Sequence, residues 1–315
     1  MKIFVPKPIP EIGLQLLREA GHTLTLAEGE WSLRETIEAC QTHDALLGAG
    51  FYPLDAPFLE ACRHLKVIAL FSVGYDNVDV PTATRLGIPV GNTPGVLSNA
   101  TADTAFLLML AVSRKAFYLH NTIARGQWGS PELGIELNGK TLGVFGMGSI
   151  GTLLARKCKG AYDMEVIYHN RKRNEALDAR WVSFDDLLRG SDVLSVHASL
   201  TPETRGIFNQ QAFAAMKRSA IFINTARGGV HNEADLTQAL ETGLIWGAGL
   251  DVTNPEPMDP HNPLLAMPNV AVLPHIGSAT VEARNGMARI AAQNIIAGLR
   301  GERLPHVVNP EVYDS

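Results

Sequence analysis

The stretch GKTLGVFGMGSIG, residues 139–151, constrains the fold more than any other part of the chain. An apolar run leads into Gly146, Gly148 and Gly151, spaced G-x-G-x-x-G, and a helix-forming segment follows. Gly146 permits a tight turn, Gly148 lets a pyrophosphate approach the backbone, and Gly151 lets helix and strand pack closely. The amides at the helix start then face the anion. Six residues of this kind are weak evidence alone. Here a second strand, EVIYH at 165–169, ends about twenty residues later, where the residue that reads the cofactor ribose belongs. The glycine turn therefore reads as a dinucleotide site, with Met147, Gly148, Ser149 and Ile150 against the phosphates.

A site for NAD ends that second strand in an acid, which accepts hydrogen bonds from the ribose 2′-hydroxyl. This chain continues with Asn170, Arg171, Lys172 and Arg173. An acid repels a 2′-phosphate, whereas a guanidinium holds it with paired hydrogen bonds. NADP(H) is the expected cofactor, with NAD(H) possible. One charge-assisted contact is worth about 1.5–3 kcal/mol, enough to shift preference roughly ten- to a hundredfold.

The rest of the chain repeats one rhythm twice, apolar strand-like runs alternating with amphipathic helices, which is the pattern of parallel sheets covered on both faces. KIFV, TLTLA, ALLGA, VIALFS and IPVGNT form the first set of strands, with helices such as PEIGLQLLREAG and LRETIEAC between them. The second set starts at the glycine turn and continues through EVIYH, DVLSVH, AIFINT, LIWGAGLDV and NVAVLP. NEADLTQALETG reads as a helix capped by Asn232 and stopped at Gly243. Residues 99–128 read as one long buried helix, placed between domains or subunits because apolar residues lie on most of its faces. The last amphipathic helix, 282–302, is expected to pack back on the first unit.

With 315 residues, 46% of them hydrophobic, two α/β domains are the default. A net charge of −5 argues against a nucleic-acid or membrane surface. Cys40, Cys62 and Cys158 form no C-x-x-C pair and read as packing residues in a reducing compartment. The longest apolar run, AFLLMLAV, is too short for a bilayer span, so a cytoplasmic protein is expected. The ten histidines show no metal-ligand spacing, and no metal is expected.

Ligands of open parallel sheets bind beyond the carboxyl ends of the strands. There the second set of strands offers Arg227 after AIFINTA, Asp251 and Glu256 in GLDVTNPEP, and His275 after VAVLP. Arg227 can bind a carboxylate and polarise the neighbouring carbonyl. His275 can protonate a developing alkoxide, with Glu256 favouring the imidazolium. Asp251 can orient the nicotinamide or the residues around it. In the first unit, Val73 and Gly74 offer backbone amides to an anion, and the two edges facing each other would form a cleft.

SVGYDNVD, NTPGVLSNATAD, GKTLGVFGMGSIG, LTPETRGIFN, INTARGG, GLDVTNPEP and LPHIGSAT together span nearly the whole chain. Through them it resembles the D-isomer-specific 2-hydroxyacid dehydrogenases, particularly the glyoxylate/hydroxypyruvate reductase branch. The resemblance implies two doubly wound parallel-sheet domains. A flavodoxin-like substrate domain comprises 1–98 and 287–315, and a Rossmann cofactor domain comprises 99–286, with the cleft between. It implies a homodimer built largely on the long helical segment, and Arg227, Glu256 and His275 as the catalytic trio. The cofactor would touch Met147 to Ile150, Asn170 to Lys172, Thr225, Ala226, Arg227, Asp251, Thr101, Gly277 and Ser278. The substrate would touch Val73, Gly74, Arg227 and His275. Two departures stand out: His231 and Asn232 replace the usual Val-Asp, and Thr253 and Asn254 stand where an aromatic and an acid are frequent. The expected reaction is NADPH-dependent reduction of glyoxylate and hydroxypyruvate. Another 2-hydroxy acid, such as a 2-oxo sugar acid or D-3-phosphoglycerate, is the alternative. The chain ends soon after VVNPEVYDS, leaving no room for the regulatory domain of many phosphoglycerate dehydrogenases, which lowers that reading. Arg, Glu and His together argue against a catalytically inert nucleotide sensor of the same fold.

Overall fold

A computed structural model describes residues 1–29, 31–48, 53–128 and 132–314. They divide into two compact units, Met1–Leu97 with Ala279–Ser315, and Ser98–Ser278. The second crossing thus precedes the expected boundary at 286/287. That position falls inside one continuous helix, Val281–Leu299, whose buried face belongs to the first unit.

The first unit alternates β1 (Lys2–Val5), α1 (Glu11–Glu19), β2 (Thr23–Leu26), α2 (Leu33–Cys40), β3 (Ala45–Leu47), α3 (Ala56–Ala61), β4 (Val67–Ala69), α4 (Val80–Arg85) and β5 (Val90–Gly91). The strands pair in parallel in the order β2-β1-β3-β4-β5. β3 and β4 are buried throughout, which is why they read as unbroken apolar runs. Ala49, the last residue of the expected strand ALLGA, lies outside the described residues. The polar helix ends are closed by side chains. Ser32 and Glu35 form a capping box on α2, and Asp55 caps α3.

The second unit holds α5 (Ser98–Ser113), α6 (Ala116–Ala124), β6 (Thr141–Phe145), α7 (Ser149–Tyr162), β7 (Glu165–His169), β8 (Arg180–Trp181), α8 (Phe184–Gly190), β9 (Val193–Val196), α9 (Gln210–Ala215), β10 (Ile221–Asn224), α10 (Glu233–Glu241), β11 (Gly247–Leu250) and β12 (Val270–Val272). Its seven strands are parallel, in the order β12-β11-β10-β9-β6-β7-β8. The order reverses between β6 and β9, the switch point at which such sheets bind ligands. α11 (Val281–Leu299) is the last α-helix of the described residues. Its Ala288, Ala291, Ala292 and Ile295 pack with Ile3, Leu17 and Val67 of the first unit, as the sequence pattern suggests.

The single long helix expected over 99–128 is two helices. Lys115 adopts φ 53, a left-handed conformation that ends α5 and starts α6 at a new angle. Most of α5 is buried, and its Ala105, Leu108, Met109 and Val112 join the core formed with β6 and β10 of its own unit. α6 buries no residue fully, and its Ile123 is exposed, as are Leu107 on α5 and Trp128 and Leu133 later in the chain.

Candidate active site

The glycine turn has the backbone geometry of an anion cradle. Gly146 has φ 93, and a Cβ there would stand 2.5 Å from the Ala198 nitrogen, so the turn leaving β6 passes directly over the residues leaving β9. A Cβ on Gly151 would meet Val144 at 2.8 Å, which is the close strand-helix packing that the motif requires. A Cβ on Gly148 would meet nothing within 4 Å; it would project into open space at the start of α7. Open space beside helix N-terminal amides fits a dinucleotide pyrophosphate.

Asn170 closes the turn from the far side. Its Oδ1 accepts from the Met147 amide at 2.7 Å, and its Nδ2 donates to the Met147 carbonyl at 3.2 Å. The following loop is pinned at both ends. Trp181 Nε1 donates to the Asn170 carbonyl at 3.1 Å, while Tyr168 Oη accepts from the Asn174 amide and donates to its carbonyl, both at 2.9 Å. Between these anchors Arg171, Lys172 and Arg173 are exposed. Glu203 is held below the usual carboxylate range, first by the Thr201 hydroxyl, then by its own amide, and least by the charge of Arg171.

The strand-end residues form a second, tighter assembly. At the end of β10, Asn224 is fully buried and its Oδ1 accepts from the Ala226 amide at 2.9 Å. Arg227 follows, with its guanidinium donating to the Ala226 carbonyl at 2.8 Å. A Cβ on Gly228 would lie 1.9 Å from the Thr253 carbonyl oxygen, so only glycine lets this loop approach the loop after β11. Glu233, at the start of α10, accepts from the Asn254 amide at 2.9 Å and from Asn262 Nδ2 at 2.7 Å, tying that second loop to its helix.

Asp251 is 1% exposed, and its two carboxylate oxygens accept from the amides of Ile276 and Gly277 at 2.8 and 2.7 Å. Burial pushes its carboxyl above the usual range, and these two amides pull the other way. Its carbonyl accepts the His275 amide at 2.9 Å, and its own amide donates to the Asn224 carbonyl at 2.9 Å. His275 adopts φ 55, a strained conformation for a residue with a side chain, and these bonds hold it there. Its Nδ1 lies 2.5 Å from Glu256 Oε1. An Nδ1–H donating to the carboxylate leaves Nε2 to exchange a proton with a ligand. Thr101, buried on α5, donates to the Gly277 carbonyl at 3.2 Å. Thr225 lies 3.4 Å from His197 Nδ1, whose Nε2 pairs with Ser195 at 2.9 Å.

The structure thus brings Glu256 and His275 into contact, and links Asp251, Thr101 and Gly277 into their support. Arg227 and Ala226 lie on the adjoining loop through the Gly228–Thr253 approach. Ser278 is half-buried at the end of this unit. Val73 and Gly74 belong to the other unit, where the Val73 carbonyl accepts from Asn92 Nδ2 and the Gly74 carbonyl from the Ser72 hydroxyl. Nothing in the local sequence marks Asn224, Gly228 or Glu233 as supports of the site.

Residues 106–277 match the sequence profile described as D-isomer specific 2-hydroxyacid dehydrogenase, NAD binding domain. The chain is 40% identical to a glyoxylate reductase of Thermofilum pendens, over 99% of its own length and 95% of that protein's. It is 41% identical to a glyoxylate reductase of Thermococcus litoralis, over 100% and 98%. Among solved structures, a Thermus thermophilus protein superposes with TM-score 0.92 at 40% identity, covering 98% and 100% of the two chains. An NADPH-dependent glyoxylate/hydroxypyruvate reductase of Sinorhizobium meliloti, solved with NADP and malonate, superposes with TM-score 0.88 at 33% identity, covering 99% and 97%.

Proposed function

The chain belongs to the D-isomer-specific 2-hydroxyacid dehydrogenases, on the glyoxylate reductase branch of these NAD(P)-dependent enzymes, and from that premise we propose that it reduces glyoxylate and hydroxypyruvate with NADPH. The observation that carries the reading is the His275–Glu256 pair at 2.5 Å, beside the Arg227 loop and on the sheet edge that bears the glycine turn. The names of the relatives support the substrate pair.

Met147 to Ile150, Asn170 to Lys172, Thr225 and Ala226 hold the dinucleotide, which when bound supplies the hydride to the carbonyl carbon. Arg227 binds the substrate carboxylate and draws charge toward the carbonyl oxygen. His275 Nε2 delivers a proton to that oxygen as the alkoxide forms, and Glu256 stabilises the imidazolium at Nδ1 beforehand. The carbonyl carbon gains a hydride and its oxygen a proton, giving the 2-hydroxy acid. Asp251 keeps the His275 backbone in its strained conformation. The NADPH preference is supported by the missing acid, by an Asn170 amide turned to Met147, and by the three exposed bases that follow. Exposed Leu107, Ile123, Trp128 and Leu133 support a homodimer through α5, α6 and the segment beyond. No described helix is long and apolar enough to cross a membrane.

The test is NADPH oxidation with a panel of 2-oxo acids, together with the configuration of the glycerate made from hydroxypyruvate. D-glycerate and turnover of glyoxylate are expected. L-glycerate, or no turnover of any small 2-oxo acid despite NADPH binding, contradicts the reading.

A further inference from the structure

The Arg227 loop rests on a buried polar contact that the reaction itself does not require. Asn224 offers one side-chain oxygen and two N–H groups, and all are used. Oδ1 accepts from the Ala226 amide at 2.9 Å, and Nδ2 donates to the Arg227 carbonyl at 2.9 Å and to His231 Nδ1 at 3.0 Å. The Ala226 amide fixes which way the side chain faces, because a flipped amide would set two donors against each other. His231 must therefore present a bare Nδ1, as a neutral imidazole. The ring is 1% exposed and stands edge-on to Phe222 with centroids 5.8 Å apart. Burial pushes it down to about 4, which keeps Nδ1 unprotonated at neutral pH. Its backbone closes the same turn, the His231 amide donating to the Gly228 carbonyl at 3.2 Å.

We propose that His231 is a positioning residue for Arg227, acting through the Asn224 amide. An acceptor at position 231 occupies the second Asn224 N–H and so holds the first against the Arg227 carbonyl. Without that acceptor, the side chain gains by rotating its unpaired N–H toward another partner, and the Arg227 backbone loses a tether. The inference rests on the reading of Arg227 as the carboxylate-binding residue.

Three variants test it, His231→Val, His231→Phe and His231→Asn, the last of which carries an acceptor oxygen near the position of Nδ1. Steady-state constants for glyoxylate and for NADPH are measured on each and on the unaltered protein. The KM for glyoxylate should rise about five- to tenfold in His231→Val and His231→Phe, the effect of one lost buried hydrogen bond. In His231→Asn it should return to within about twofold of the unaltered protein, while the KM for NADPH stays within about twofold throughout. An unchanged glyoxylate KM in the folded apolar variants, or an asparagine variant as impaired as they are, overturns the proposal. So does a KM for NADPH that moves as far as that for glyoxylate, the mark of a merely structural role. If the unaltered protein turns over no 2-oxo acid, the functional reading falls and this inference with it. If it turns over glyoxylate and the variants match it, only the inference falls.

Discussion

Two loops at the carboxyl edge of the second sheet carry the proposed proton transfer and cofactor choice, and they are built in opposite ways. The loop that leads to His275 is tied at successive backbone amides. Asp251 alone engages the amides of His275, Ile276 and Gly277, and holds a left-handed histidine in place. The loop of Arg171, Lys172 and Arg173 is anchored only at its ends, by Asn170 and Asn174, and its charged side chains stand in solvent. The proposed proton transfer needs an atom held within tenths of an ångström, which a strained histidine backbone tied to a buried carboxylate would supply. Choosing between two cofactors that differ by a phosphate needs only positive charge within reach, so a flexible base suffices.

Breaking the tied loop should have the larger effects. His275→Gln should lower kcat by on the order of 10² to 10⁴ while the dissociation constant for NADPH stays within about twofold. Near-normal turnover would remove His275 from the mechanism. The second effect is on stability in acid. Burial holds His231 at about 4, against an ordinary 6.5, so the folded protein binds this proton later than the unfolded chain does. Its contribution is fully present above pH 6.5 and is lost as pH falls toward 4, about 3 kcal/mol in all. His197, also pushed down to about 4 by burial, acts in the same direction. Denaturant unfolding at pH 7 and pH 5 measures the loss, and His231→Phe should flatten it. An equal slope in that variant would mean that the ring is not buried neutral.

Asp251→Asn sharpens the contrast further, because it sets an N–H₂ group against one of the two backbone amides. Unfolding free energy should drop by about 1.5–3 kcal/mol, with kcat falling alongside. No loss in either would show that the His275 backbone holds itself. Arg171→Ala should leave stability within about 0.5 kcal/mol. Even so, it should raise the KM for NADPH roughly ten- to a hundredfold and that for NADH far less. Equal changes for the two cofactors would assign the phosphate to another group.

The same contrast explains what the sequence made legible. Buried parallel strands are continuous apolar runs, so β3, β4, β9 and β10 stand out, and the glycine turn carries its own geometry. The residues at strand ends are visible because chemistry needs rare types there, arginine, glutamate and histidine. The supports are hidden. Asn224 reads as the polar end of a strand, because the turn that folds Ala226, Arg227 and His231 back onto it has no motif of its own. Gly228 reads as half of a common pair and Glu233 as an acid in a first helical turn, since the partners of these two lie in segments distant in the chain. The break at Lys115 has no glycine or proline to announce it, and β8 is two exposed residues long. Tertiary packing decides both.

The central claim is that this enzyme reads its cofactor through a charge set on a loose loop. The measurement that tests it most directly is kcat/KM for NADPH against NADH, in the unaltered protein at saturating hydroxypyruvate. The account predicts at least about a tenfold advantage for NADPH. Parity, or a preference for NADH, would contradict it.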